Sequence, residues 1–444
     1  MSKTMTAPSA PRGGAAARLA VTFGALLPRG WSRHAQTVLI VGVWAGVLVP
    51  RLIDSLTVAK GFTPITDGAA PLAGVAGAAT TAANGLMVVI CAGVVLLRAP
   101  TLSLRRVPVL ALLLAPWVIA ATQLTLLGRP PAAPALVYPA VVVAFWALRP
   151  GPSAVEVVGY LAGATAVASL CLGVFAPAAG RYPLDVAGLD KVIGPAGVLS
   201  GVMPTGNNLG LVLVVALPTV FAIRRRSFRW ASLGAVVIAL AWTVSRTSWI
   251  AAVVVVVTMA AVRWLWRPRL VAVAGLGLLA LAGMVIPFVT SQPTAFTNRA
   301  SYWIPTLAAW RDRPITGFGA DYFKQIAGTA QGLGGHAYHA HNQWVHLLVT
   351  GGLLLAVAVL ALLVVAGVRA VGLAAARVPW GAGWLVAMLS VSILEVPLGF
   401  VDRMMFLPVA LVPLCLLICG DRPTAESRPG ASPAAAASTG EVHG

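Results

Sequence analysis

Apolar runs separated by short polar turns repeat along nearly the whole chain, at roughly 36–53, 80–97, 107–127, 134–148, 153–175, 207–223, 230–244, 248–266, 270–289, 343–366, 380–397 and 404–419. Crossing the hydrocarbon core takes about 20 apolar residues in a helix, so the pattern predicts an all-α polytopic membrane protein with about 12 transmembrane helices. The fourth and seventh runs are the shortest. Two polar stretches interrupt the rhythm, 176–206 and the longer 290–342. The longer one is expected to be a large extracytoplasmic loop containing short helices, because Arg299, Trp303, Leu307 and Trp310 recur at helical spacing. Pro305 must sit in a first turn of that helix or kink it, and Trp310 reads as an interfacial anchor. Residues 1–34 and 421–444, rich in Ala, Pro, Gly and Ser, are expected to be disordered tails on either side of a membrane domain at 35–420.

Composition supports this picture. The chain is 59% hydrophobic and 10% charged, with a mean hydropathy of +0.89. Soluble domains carry about a quarter charged residues, so this surface is built to face lipid. A net charge of +19 raises the question of a nucleic-acid partner. Its placement answers it: alternating the runs from a cytoplasmic N-terminus puts most Lys and Arg inside and most Asp and Glu outside. That is the asymmetry that orients helices in the cytoplasmic (inner) membrane, with both termini inside, and no nucleic acid is needed to explain it. The run Arg224, Arg225, Arg226 and Arg229 is its clearest piece and suits anionic lipid. Cys91, Cys171, Cys415 and Cys419 fall within apolar runs and read as small hydrophobes rather than disulfide partners.

Three groups of residues have the character of chemistry. Arg246, in Ser245-Arg-Thr247-Ser248, interrupts two apolar runs, and arginine near membrane depth costs about 2.5–3.5 kcal/mol, so it needs a cavity or an anion. Snorkelling to the interface is the plainer account, but the crowd of hydroxyls resembles an oxyanion site. Arg299 is the second, with Arg311, Arg313 and Lys324 nearby. Guanidinium binds diphosphate in a bidentate fork at every relevant pH; for Arg311 and Arg313 a solvated charge or a pairing with Asp312 or Asp321 is expected. The third is His336, His339, His341 and His346, four of the six histidines. A neutral imidazole is a plausible general base. Metal binding by His339 and His341 competes, but no Cys or carboxylate cluster accompanies them, so one histidine acting as base is expected and metal is not. The chain has no Walker loop, no Gly-x-Gly-x-x-Gly and no Asp-x-Asp, so a donor must arrive preactivated and no cofactor is expected.

Three blocks resemble the O-antigen ligase and O-antigen polymerase superfamily of glycan-transferring membrane proteins: Ser245-Arg-Thr247; Arg299-x-x-x-Trp303 leading to Pro314-Ile-Thr-Gly317-x-Gly319; and His341-Asn342 before the next run. The stretch 197–210 with Asn207 and Asn208 resembles the family's preceding loop, and the likeness covers about 190–370. The resemblance implies that Arg246 and Arg299 contact the undecaprenyl diphosphate of a lipid-linked glycan and that His341 activates an acceptor hydroxyl on glycan, lipid or protein. Transfer would then proceed with inversion and without metal. Ser245, Thr247, Trp303, Gly317, Gly319, His339, Asn342 and Asn207 would contact substrate. Thr350 stands where many members carry an acid, which leaves ligase and polymerase undivided. Two other readings compete: a polyprenyl-phosphate-sugar-dependent multi-span glycosyltransferase using Asp54, a lone carboxylate beside Arg51, and a lipid or polysaccharide transporter or flippase, which would place its polar residues near the midplane.

Overall fold

The computed structural model describes residues 31–57, 74–99, 102–182, 197–327, 329, 338–402 and 404–420. Both expected tails lie almost wholly outside these residues, as does His336. Residues 31–34, assigned to the first tail, instead form the opening turn of a helix.

Every one of the apolar runs contains a helix. They are α1 (Trp31–Thr57), α2 (Gly74–Arg98), α3 (Val107–Leu126), α4 (Val137–Leu148), α5 (Ser153–Phe175), α6 (Gly206–Val220), α7 (Arg226–Trp242), α8 (Arg246–Trp264) and α9 (Pro268–Val289). The long loop holds α10 (Ala300–Trp310) and α11 (Tyr322–Ile326), and α12 (Gln343–Ala375), α13 (Trp380–Ser392) and α14 (Leu407–Cys419) follow. Seven helices, α1, α2, α3, α5, α8, α9 and α12, are long and apolar enough to cross a membrane. α4, α6, α13 and α14 are shorter, apolar and buried almost throughout. A helix that is apolar on every side belongs in a core, so these four sit inside while the long helices turn residues such as Leu86, Val253 and Leu278 outward. Two-residue strands β1 (Arg181–Tyr182) and β2 (Val198–Leu199) pair antiparallel in the shorter polar stretch.

Side chains bind backbone carbonyls at both ends of the bundle. At one end Arg106 donates to the carbonyls of Trp146 and Cys419, Arg98 to Leu148, and Arg377 to Arg263 and Leu265. At the other, Trp242 donates to Gly197, Arg129 to Phe318 and Gln343 to Leu398. The loop containing α10 and α11, the start of α8 and the segment after α13 all belong to this second end.

Two breaks in the helices shape that end. The apolar run expected at 380–397 stops being helical at Ser392, and residues 393–400 are irregular. Gln343 holds them, donating to the Leu398 carbonyl at 3.1 Å and accepting its N–H at 2.9 Å. α12 is broken at Gly352 (φ 64°, ψ −163°). The Pro314–Gly319 strand of backbone lies in this break: Phe318 and Gly319 N–H donate to the carbonyls of Val349 and Thr350, and Leu353 and Leu354 N–H to those of Pro314 and Ile315. Only glycine allows so close a pass. A Cβ on Gly352 would overlap the Ile315 carbonyl, and one on Gly317 would stand 2.7 Å from Gly352 N.

Candidate active site

Arg299 immediately precedes α10, after three consecutive left-handed residues, Phe296, Thr297 and Asn298 (φ 53°, 59° and 65°). His341 is left-handed too, at 51°. Backbone held in such conformations costs about 1–3 kcal/mol per residue and persists where the surroundings enforce it, commonly at functional sites. The surroundings here are specific. Trp303, fully buried, donates from Nε1 to the His341 carbonyl at 3.4 Å and packs on Phe296 with ring centroids 5.2 Å apart.

The centre of the site is Glu395, in the irregular segment after α13. Its Oε1 accepts from Arg299 Nη2 at 2.9 Å, while Arg299 Nε donates to the Leu394 carbonyl at 2.9 Å. Its Oε2 lies 3.6 Å from His339 Nε2 and 3.8 Å from His341 Nδ1. Burial by itself would raise the Glu395 pKa. The facing His341 imidazole and the charge of Arg299 outweigh it and hold the carboxyl down at about 2, so it is a carboxylate at neutral pH.

The two histidines are not equivalent. His339 is 1% exposed and its Nδ1 accepts the backbone N–H of His341 at 3.1 Å, which assigns its proton to Nε2, facing Glu395. The His341 side chain is 13% exposed, edge-on to His339 with centroids 4.0 Å apart, and flanked by Tyr302 and Tyr338 at 4.9 and 5.5 Å. Its Nδ1 faces Glu395 across 3.8 Å, which leaves Nε2 as the ring nitrogen turned away from the carboxylate. A carboxylate orienting an imidazole in this way is the general arrangement for activating a hydroxyl.

Several residues expected to touch substrate have framework roles in the structure. Asn342 is fully buried: its Oδ1 caps α12 by accepting Val345 N–H at 2.9 Å, and its Nδ2 donates to the Gly283 and Ile393 carbonyls at 3.0 and 3.1 Å. Pro287, which lacks an N–H, is what leaves the Gly283 carbonyl without its helical donor four residues on. Trp303 supports the His341 backbone, and Gly317 and Gly319 serve the break in α12. Trp310 donates to the Pro314 carbonyl at 3.0 Å. Asp321 pairs with Arg129 at 3.1 Å rather than with Arg311 or Arg313, and Arg313 lies over the Phe318 ring at 4.9 Å. His346 bonds Asp402 at 3.1 Å and stacks on Phe323.

Arg246 opens α8 and is exposed. Ser245 beneath it is buried, its Oγ 2.9 Å from that of Ser248, and both press on Gly210 of α6, where a Cβ would stand 2.6 Å from Ser248 Oγ. Thr247 and Asn207 are half-buried nearby, at the starts of α8 and α6. Val244 before them is left-handed at 50°, a strained state for a β-branched residue.

Glu395 escaped the sequence reading, which counted it inside an apolar run and found no carboxylate near the histidines. A lone ionisable residue in such a run was the signal that could have found it. Its presence also reopens the metal question, since donor atoms of His339, His341 and Glu395 all lie within 4.8 Å of one another, near the spacing of a metal's ligands. Against a cation stands the Arg299 guanidinium, already on Oε1.

Fold and site together define a polytopic helical membrane protein whose buried carboxylate gathers a guanidinium and two imidazoles at one end of the bundle. Residues 231–360, from α7 into α12, match the family described as O-antigen ligase, and that stretch of the chain is similar to it. The match contains Arg246, Arg299 and His341 and stops short of Glu395. No curated protein and no solved structure matches the chain.

Proposed function

We propose that the protein transfers a glycan from a polyprenyl-diphosphate donor, undecaprenyl diphosphate in the reading from the sequence, to a hydroxyl acceptor at the outer face of the cytoplasmic membrane. His341 Nε2 takes the acceptor proton, with Glu395 holding Nδ1. The oxygen attacks the anomeric carbon with inversion as the carbon–diphosphate bond breaks, and the lipid diphosphate leaves with the electron pair. Arg246 and Arg299 carry that developing charge. Of the five N–H donors of Arg299, its described bonds use three, on Nε, Nη2 and Nη1, so two remain for phosphate oxygens. No metal is required, because the positive charge beside Glu395 is supplied by arginine. The proposal keeps the cytoplasmic termini and the twelve crossings of the sequence reading.

The observation that carries the reading is the shared carboxylate: Glu395 joins the proposed base to a proposed diphosphate ligand. The transporter alternative is less well supported, since the broken helix α12 has its exposed backbone filled by residues 314–319 of the same chain rather than left to line a substrate site. The test is an assay with a defined lipid-diphosphate oligosaccharide and separate glycan, lipid and protein acceptors, using Arg246→Ala, Arg299→Ala and His341→Ala. Loss of transfer in folded, inserted protein is expected; retained transfer in all three would remove the enzyme reading.

A further inference from the structure

The opposite end of the bundle carries a charged feature that glycan transfer does not use. α8 ends at Arg263 and Trp264, α9 begins at Pro268, and Leu265, Trp266 and Arg267 join them. This turn faces the one between α12 and α13. There Arg377, left-handed at φ 57°, donates from Nη1 to the carbonyls of Arg263 at 2.8 Å and Leu265 at 3.0 Å. The two turns enclose a cleft of about 580 Å³ lined by Trp266, Arg267, Arg269, Leu270 and Arg377. Arg267 stacks on the Trp266 ring at 4.5 Å, which fixes its guanidinium at the rim.

Neither chain segment supplies a counter-charge, since there is no Asp or Glu anywhere in 191–311 or 322–394. The three helices whose ends form the cleft, α8, α9 and α12, are all long enough to cross a membrane. Their shared end therefore lies at headgroup depth, where tryptophan collects, and Trp264 and Trp266 are 77% and 80% exposed there. Leu265 and Leu270, 51% and 57% exposed, offer apolar surface beside the charges.

We propose that this cleft binds a membrane phospholipid with a doubly anionic headgroup, its phosphates on Arg267, Arg269 and Arg377 and its acyl chains against Leu265, Leu270 and Trp266. Forked guanidinium groups match phosphate oxygens, and three of them in one cleft with no carboxylate in either lining segment are better neutralised by two phosphates than by one. A lipid seated there would tie the α8–α9 turn to the α12–α13 turn, reinforcing the bridge that Arg377 makes.

The test uses the full chain purified in neutral detergent and titrated with cardiolipin, phosphatidylglycerol or phosphatidylcholine, with bound lipid counted by native mass spectrometry. Cardiolipin is expected to bind most tightly, and R267Q/R269Q to weaken it about tenfold or more, the order expected for two lost arginine contacts near a charged headgroup. R224Q/R225Q, at another basic turn, is expected to leave it unchanged. Equal loss in both double variants would reduce the effect to bulk charge and overturn the site. So would unchanged binding in R267Q/R269Q, or inorganic pyrophosphate binding as tightly as the lipid. None of these outcomes depends on glycan transfer.

Discussion

Arg246 and Arg299 stand at the same end of the bundle in opposite settings. Arg299 is 15% exposed in its side chain and fixed by a carboxylate, a carbonyl and a strained turn, so its position is set before any ligand arrives. Arg246 is exposed at a helix start, above a pair of buried serines. Preorganised charge serves a transition state, because it needs no rearrangement as charge develops. An exposed guanidinium at a helix start is open to a ligand arriving from outside. The contrast sharpens the proposal, in which Arg299 steadies the diphosphate as it leaves and Arg246 helps to hold it, and substitutions should separate the two.

The largest effect is expected from Glu395→Ala, which leaves Arg299 as a buried charge without its carboxylate. Loss of about 3–5 kcal/mol of stability, read by thermal unfolding in detergent, should accompany loss of transfer. His341→Ala should cut kcat by about 10²–10⁴ with little loss of stability, since the group removed is a base and not a support. A loss of stability as large as that of Glu395→Ala would mean that His341 is structural. Arg246→Lys should raise KM for the lipid donor by roughly tenfold while sparing kcat, the size of one lost bidentate contact. An equal fall in kcat would erase the proposed division of labour. Gly352→Ala should cost about 1–3 kcal/mol through its left-handed backbone and the Ile315 carbonyl.

The smallest effect is expected from mild acid. The Glu395 carboxyl is depressed from 4.5 to about 2, so its contribution to stability is fully present above the unfolded value and is lost as pH falls from about 4.5 through 2. Between pH 7 and 5 the melting temperature should not move on its account. A fall in melting temperature over that interval would contradict the depressed Glu395 carboxyl.

The helices were legible because each apolar run is long and bounded by turn residues, and those signals are local. Their number as membrane crossings was less so: α4, α6, α13 and α14 are short and buried by neighbours, which run length does not reveal. Arg246, Arg299 and His341 stood out as charge or imidazole in the wrong surroundings. What could not be read was pairing across distance. Nothing in the chain says that Glu395 returns to Arg299, 96 residues earlier, or that Pro287 frees a carbonyl for Asn342. Trp303, Gly317, Gly319 and Asn342 were given to substrate by resemblance; the burial and bonding that also tie them into the frame are long-range and were not legible in the chain.

The interruption at Gly352 alters what counts as a movable part. Four main-chain hydrogen bonds stitch 314–319 to the stretch flanking that glycine, so the first ten residues of α12 are fastened to the loop as much as to the rest of their own helix. Anyone grafting this site onto another scaffold must therefore transplant 298–354 as one cassette, together with the segment that carries Glu395. A junction drawn at the membrane boundary near Gln343 would sever the stitching and leave His341 without its foundation.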